Sequence, residues 1–314
     1  MQKWVKHGCL FKAQGQYDWM QTHAQLPVAD AVSADVLRIY FASRDNDGRS
    51  RIGFVEVSSA RPHQLLRVSE RPVLDLGELG CFDDQGVLPS AVVNWNGTQY
   101  LYYIGVNTAT NIAGRAAIGV AESRDGGETF TRVMPGPIVE RGGIEAHLCT
   151  SPYVLPGAPW RMWYTSGTEW IVVEGKSEPC YLIRQTTSAD GLQWQRPGEV
   201  AVSFQNESEG GLGRPAIFYD GNIYRMWFSA RGKANYRQAG PSAYQMAYAE
   251  SMDGIKWQRL PMPAELAVEQ GAWDSDMIAY PYVFRNQAKL EMLYNGNGFG
   301  QSGFGYATLE EVAE

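Results

Sequence analysis

Five short stretches of this sequence set a carboxylate a few residues ahead of a proline: YDWMQTHAQLP, GCFDDQGVLP, GGIEAHLCTSP, ESEGGLGRP and AWDSDMIAYP. Their acids include Asp18, the pair Asp83 and Asp84, Glu145, Glu209, and the pair Asp274 and Asp276. Two carboxylates held across a reacting bond can divide the work of general acid and general base, provided burial or a neighbouring negative charge raises the pKa of one of them. Nothing local to AWDSDMIAYPYVF distinguishes a catalytic pair from the start of a strand. The stretches lie far apart in the chain, so the fold must bring them together if they act jointly.

The elements that would do so recur. Pro27, Pro89, Pro152, Pro215 and Pro281 stand 62, 63, 63 and 66 residues apart by subtraction, each followed by strand formers, a turn and an aromatic-rich strand. A third run follows with period-2 alternation: SRIGFVEVS, AAIGVAESRDG, YLIRQTTSADG, YQMAYAESMDG and FGYATLE. In the middle three copies an Asp-Gly turn leads into a fourth run, ETFTRV, LQWQRP or IKWQRL. Four antiparallel strands per unit make a propeller blade, and five units make an all-β, five-bladed propeller. The fifth copy stops after its third strand, and QKWVKHG at the other end resembles LQWQRPG, with Trp4 in the place of Trp194 and Trp257. The N-terminal strand is therefore expected to complete the last blade and close the ring, removing free sheet edges. Residues 1–314 then read as one domain.

In a propeller the first strand of each blade lines the channel, so all five lead-in segments should gather on one face and turn their acids toward one axial pocket. The loops between second and third strands reach the same face and are longer than ordinary hairpin loops. They offer Arg44, Arg115 and Arg231 as donors to anions or hydroxyls, Trp170 and Tyr236 as stacking surfaces, and Asn295 and Asn297 as amides. His23, His147 and Arg214 come from the lead-ins themselves. Bland readings stand beside these. Asp125, Asp190 and Asp253 belong to outer turns on the opposite face, Arg44 and Asp45 can pair at a hairpin base, and His147 can be a hydrogen-bonded core residue.

Composition excludes other classes. Net charge is -7 and the 27 Lys and Arg form no run, so no nucleic-acid or anionic-membrane partner is expected. The start lacks the apolar region of a signal peptide, and no stretch has the roughly 18 uninterrupted apolar residues of a span, so the chain reads as cytoplasmic. Cys9, Cys81, Cys149 and Cys180 are scattered, which suggests neither a zinc site nor a disulfide framework. No metal ligands are assigned, because no Asp-rich calcium loop is present. With 10 Trp and 17 Tyr against 11 Phe, the aromatics favour rings with polar tips, suited to sugar platforms.

The five-fold P-x-x-v…g-x-y-r-M-W-Y pattern with S-x-D-G-x-x-W turns resembles the five-bladed propeller glycosidases of families 32, 43, 68 and 130. GELGCFDDQGVLPS, RMWYTSGT, YRMWFSARG, WDSDMIAYPYVF and MLYNGNGFGQSGFGYA are similar to a bacterial group of hydrolase-like proteins associated with surface-polysaccharide genes. The resemblance covers the whole chain. It implies a glycosidase, a carbohydrate substrate and no cofactor beyond a structural calcium held near the channel in some relatives. It carries a second-blade orienting role onto Asp84 and the third-blade acid onto Glu145. Among the lead-in carboxylates, Asp84 or Asp276 is the expected base to Glu145, with Glu209 in reserve. The expected substrate-binding residues are His23, Arg44, Asp83, Arg115, His147, Trp170, Arg214, Arg231, Tyr236, Asp274 and Asn295. Separations of roughly 5 to 5.5 Å or 6.5 to 9.5 Å between the carboxyl groups would give retention or inversion. The first blade departs from the pattern, since THAQLPVAD has no carboxylate beside its proline, only His23 and the offset Asp18 and Asp30. That departure suits a family 130-like phosphorylase, in which Arg44, Arg115, Arg214, Arg231 and His147 would hold phosphate. A third expectation is a carbohydrate-binding or assembly protein without turnover.

Overall fold

The alternating runs fold as twenty β-strands among residues 2 to 311, the residues that the computed structural model describes; residue 1 and residues 312–314 of the expected domain lie outside them. Strand β1 (Gln2–Phe11) precedes the first repeat, which forms β2 (Thr22–Ala31), β3 (Val36–Arg44), β4 (Ser50–Ser58) and β5 (Leu65–Val68). The second forms β6 (Gly86–Trp95), β7 (Thr98–Asn107), β8 (Arg115–Ser123) and β9 (Thr131–Arg132). The third forms β10 (Cys149–Leu155), β11 (Trp160–Val173), β12 (Lys176–Ser188) and β13 (Glu199–Val202). The fourth forms β14 (Glu209–Tyr219), β15 (Tyr224–Gly232), β16 (Gln245–Ser251) and β17 (Gln258–Leu260). The fifth has β18 (Ala279–Asn286), β19 (Lys289–Asn295) and β20 (Phe304–Glu311), with β1 antiparallel to β20 through Trp4 opposite Leu309.

Within each repeat, consecutive strands pair antiparallel. Parallel contacts of Ser50 with Gly86 and of Tyr181 with Gly211 join the first repeat to the second and the third to the fourth. The ladders therefore run as three sheets, of eight, eight and four strands, rather than as five separate ones. The first strands lie side by side in the order β2, β6, β10, β14, β18, and β18 also lies against β2.

Each repeat proline sits at a break in register, between Gln25 and Val28, Pro89 and Ala91, Thr150 and Tyr153, Gly213 and Ala216, and Ala279 and Tyr282. Proline has no N–H to give a ladder and is tolerated at such bulges. In four repeats the residue before it is forced to positive φ: Leu26 at 55°, Ser151 at 50°, Arg214 at 55° and Tyr280 at 60°. For a residue with a Cβ this costs of order 1–3 kcal/mol. The bulge re-aims that side chain, and the candidate site is built on this.

Aromatic pairs hold neighbouring repeats together. The fourth run of one repeat lays its ring on the second strand of the repeat before: Phe130 on Tyr40 at 5.6 Å, Trp194 on Tyr102 at 6.5 Å, Trp257 on Trp163 at 6.1 Å and Trp4 on Trp227 at 5.7 Å. All four are edge-on, worth about 0.5–1.5 kcal/mol each beyond the area they bury. At the far ends of the strands Asp190 accepts the N–H groups of Leu192 and Gln193, and Asp253 those of Ile255 and Lys256, which makes these residues turn builders.

Candidate active site

The five bulges open onto one cavity of 280 Å³, walled by the residue before each repeat proline: Leu26, Leu88, Ser151, Arg214 and Tyr280. Ile104, Val106 and Leu148 extend an apolar side, and Tyr181, Tyr244 and Tyr280 make the other, with the hydroxyls of Thr150, Ser151 and Thr165. The Tyr244 ring lies 5.5 Å from Tyr280, and its hydroxyl shares a hydrogen bond with that of Tyr181. Burial raises both phenol pKa values, so they stay neutral. Flat rings beside hydroxyls suit the two kinds of surface that a sugar presents. Tyr181 and Tyr244 were not among the candidates read from sequence, although both open a copy of the third strand, 63 residues apart by subtraction.

Arg214 forms the floor and is 1% exposed. Its Nη1 donates to the Ser90 carbonyl at 2.6 Å and hydroxyl at 2.8 Å, its Nη2 to the Pro27 carbonyl at 3.2 Å, and its Nε has no partner. It thus ties the first strands of the first, second and fourth repeats. No carboxylate neutralises it among the described residues; burial lowers its pKa to about 10, which leaves it charged. Beyond it, toward the opposite ends of β10, β14 and β18, lies a larger hollow of 630 Å³ lined by Tyr153, Phe218, Tyr282 and Arg285. None of the candidate acids lines that hollow or the central cavity; the central cavity is the one onto which all five lead-in bulges open. A cation is opposed in the central pocket by the Arg214 charge, and its walls are tyrosine, hydroxyl and apolar groups, so the calcium implied by the resemblance does not fit.

Four of the lead-in acids do not face this cavity. Asp83, fully buried, accepts from Arg132 at 2.7 Å and the Tyr103 hydroxyl at 2.9 Å. Glu145, 1% exposed, accepts from Arg196 at 2.6 Å, the Tyr164 hydroxyl at 2.7 Å and Ser166 at 3.0 Å. Glu209 takes two bonds from Arg259, both at 2.8 Å, and the Gln205 N–H at 2.8 Å. Asp274, fully buried, accepts from Lys6 at 2.8 Å. The four cations share one address, two residues after the fourth-run ring in Phe130–Arg132, Trp194–Arg196, Trp257–Arg259 and Trp4–Lys6. Each pair clamps the start of a repeat to its own fourth run, within the strand for Arg132, Arg259 and Lys6 and just before β13 for Arg196. The reading in which all lead-in acids turn to the pocket is thus corrected: a buried carboxylate needs a charged, hydrogen-bonded partner, and the fourth strand supplies it. For Glu209, burial alone would raise the pKa, but the Arg259 bonds and the Gln205 N–H outweigh it and hold the carboxyl below its usual range.

The clamps leave a different set of lead-in residues without a cation among the described residues, none of which lines the cavity itself. Five residues before the proline stand Asp84, His147 and Asp276. Asp84 is half-buried, its Oδ2 accepting the Gly80 N–H at 2.9 Å and its Oδ1 without a partner. Asp276 is exposed, accepts from Ser275 at 2.9 Å, and gives its N–H to Asn297 Oδ1 at 2.7 Å. His147 is half-buried rather than in the core. The first repeat offers His23, whose Nδ1 lies 2.9 Å from Thr22 Oγ1, and whose pKa is pulled down to about 4 by burial and by Arg44. Arg44 is half-buried and donates Nε to Gln25 at 3.1 Å. Its expected partner Asp45 is held instead by Arg51 at 2.6 Å and Arg49 at 3.1 Å. Arg115 is exposed. Register confirms that lead-ins and second-strand ends share a face, with Thr22 opposite Arg44 and Ala279 opposite Asn295.

Three other candidates brace the wall. Arg231 is 3% exposed, stacked between Tyr181 at 4.7 Å and Tyr236 at 3.9 Å. Tyr236 is itself buried and donates to Glu178, which Arg237 also holds. Asn295 is fully buried, accepting the Leu26 N–H at 2.8 Å and donating to the Ala24 and Gly303 carbonyls. Trp170 sits outside the pocket on the long β11–β12 hairpin, opposite Pro179. Asp18 is exposed beside Asp45 and Asp75, and Asp30 accepts from Asn94 and Gln99.

No family model matches the chain. Among solved structures it is similar to a BT0996 complex with RGII, with a TM-score of 0.76, 16% identity, and coverage of 98% of this chain and 92% of that one. A thermostable family-43 glycoside hydrolase aligns with a TM-score of 0.68 at 16% identity over 92% of this chain and 88% of its own, and an endo-arabinase from Bacteroides thetaiotaomicron with 0.63 at 14% over 95% and 98%. The chain therefore has the fold of the β-propeller glycosidases. It is 37% identical over 308 residues, 98% of its length and 99% of theirs, to the uncharacterised proteins MT1551 and Rv1502 of Mycobacterium tuberculosis, and belongs to one family with them. Among the described residues no helix is long and apolar enough to cross a membrane.

Proposed function

We propose that this protein is a glycan-acting enzyme that cleaves a glycosidic bond held at the mouth of the central pocket, with Asp84 and Asp276 dividing the general-acid and general-base roles. The observation that carries the reading is that these two, of the four carboxylates expected to be catalytic, have no cationic partner among the described residues and share one repeat position. Glu145 and Glu209 are held by cations in clamps and do not line the cavity. The tyrosine wall supports a sugar ring, and the fold likeness supports the class.

The scaffold under this reading is a single five-bladed ring spanning the chain. It is supported by the β1–β20 pairing and by the order in which the first strands neighbour one another. Tyr181, Tyr244 and Tyr280 stack the sugar, His147 and His23 border the bond, and neutral His23 accepts or donates a hydrogen bond without adding charge. The test is turnover on a panel of oligosaccharides. Asp84→Asn and Asp276→Asn should each lower kcat by about 10²–10⁴-fold, the usual worth of one acid or base. Full turnover in either variant, or no cleavage of any glycosidic bond by the parent protein, would refute the assignment.

A further inference from the structure

The pocket's charge is the reverse of what a ring of acids would give. The lead-in acids of four repeats are neutralised in their clamps, whereas Arg214 in the cavity wall and Arg44 in the first repeat have no ion pair among the described residues. Arg214 lies under the floor, buried and without a carboxylate, its Nε unpartnered. Arg44 stands in the first repeat, the one whose lead-in has no acid within seven residues of its proline, only His23. Arg44 spends one N–H on Gln25, and both its Nη groups are free of hydrogen bonds and ion pairs among the described residues. Gln25 in turn donates to the Phe299 carbonyl at 2.8 Å, and the Phe299 ring lies 5.7 Å from Tyr244, which lines the pocket. A half-buried guanidinium with its fork unspent matches a planar oxyanion, and an unneutralised second charge nearby in a low dielectric adds to the attraction.

We propose that the central pocket takes a sugar bearing a carboxylate, a glycuronic acid residue or a related sugar acid, with the carboxylate on the Nη groups of Arg44 and the ring against Tyr280 and Tyr244. This rests on the glycan reading and deepens it by naming the substrate class. A carboxylate fits better than phosphate. Its single charge is matched by one guanidinium fork, and the Leu26, Leu88 and Leu148 side of a 280 Å³ cavity offers nothing to a second charge. Asp84 and Asp276 oppose an anion from the flanking repeats, so the discrimination depends on Arg44.

The experiment measures affinity by calorimetry at low salt for matched pairs of probes: glucuronate against glucose, and a uronate-terminated disaccharide against its neutral counterpart, with glucose 6-phosphate and inorganic phosphate as further arms. The expected result is that the acidic member of each pair binds about tenfold or more tightly, a difference of about 1.4 kcal/mol. Arg44→Gln brings the acidic-to-neutral ratio to within about threefold of one, and Arg44→Lys, which keeps charge without the fork, falls between. Melting curves of the variants separate loss of recognition from loss of fold. Equal affinity within each pair, an unchanged ratio in a folded Arg44→Gln protein, or tighter binding of phosphate than of uronate would each overturn the inference. Cleavage of neutral glycans without acidic preference would do so while sparing the proposed function. Uronate binding with no cleavage of any glycan would leave this inference standing and remove the other.

Discussion

Asp83 and Asp84 are adjacent in sequence and opposite in circumstance, one fully buried against Arg132 and Tyr103, the other half-buried with no cation on it among the described residues, although each has an Oδ1 without a partner. Acids stand five, six or seven residues before the repeat prolines, by subtraction, and the sequence alone does not say which offset reaches the pocket. The clamp cations decide it, and they lie 49, 51 and 50 residues away for Arg132, Arg196 and Arg259 and 268 for Lys6. Glu145→Gln should therefore cost stability. Breaking a buried pair costs about 3–5 kcal/mol, and about 2–3 kcal/mol is expected here because Arg196 can recover water. Urea unfolding should show that loss in Glu145→Gln and a change within about 0.5 kcal/mol in Asp84→Asn. The His23 imidazole offers a second check. Its folded pKa of about 4 lies below the ordinary value of 6.5, so the unfolded chain binds the proton more readily, and this residue's contribution to stability falls as pH drops from 6.5 toward 4. Removing a positive neighbour raises a histidine pKa, so NMR titration of Arg44→Gln should show His23 titrating above its value in the parent protein.

At the scale of the strands, the pattern ring-x-cation in FTR, WQR, WQR and WVK was on view in the sequence, yet its two halves serve different partners. The ring goes to the preceding repeat and the cation to its own. Period-2 alternation reveals which residues turn inward, and it carries no information about which repeat they meet. Trp257→Ala should lower stability by about 3–5 kcal/mol, as truncation of a large packed aromatic does, read as a lower denaturant midpoint. The Glu209–Arg259 clamp gives the same strand a pH signature. With the carboxyl held below its ordinary value of 4.5, its stabilisation is complete above that pH and is lost as pH falls through the lower folded value. Glu209→Gln should flatten the acid limb of the stability curve, and an unchanged limb would contradict the clamp.

For the molecule as a whole, the spacing of the five prolines made the repeat, the four-strand unit and the partnership of β1 with β20 legible in advance. Side-chain reach across the centre was not legible. Arg214 bonds to Ser90 and Pro27, 124 and 187 residues away, and nothing in GLGRPAIF signals that its guanidinium floors a pocket. The pairing of β1 with β20 carries its own prediction. Deleting residues 2–11 removes Trp4 and Phe11, each worth about 3–5 kcal/mol. At roughly 2 °C per kcal/mol for a chain of this size, the melting temperature should fall by about 10 °C or more.

The most direct test of the central claim is a crystal structure of the Asp84→Asn protein soaked with an oligosaccharide that the parent enzyme cleaves. The expected result is a sugar ring against Tyr244 and Tyr280, with the amide introduced at position 84 and the Asp276 carboxylate on either side of a glycosidic oxygen. A sugar seated in the hollow beyond Arg214, or one touching Glu145 or Glu209, would contradict it.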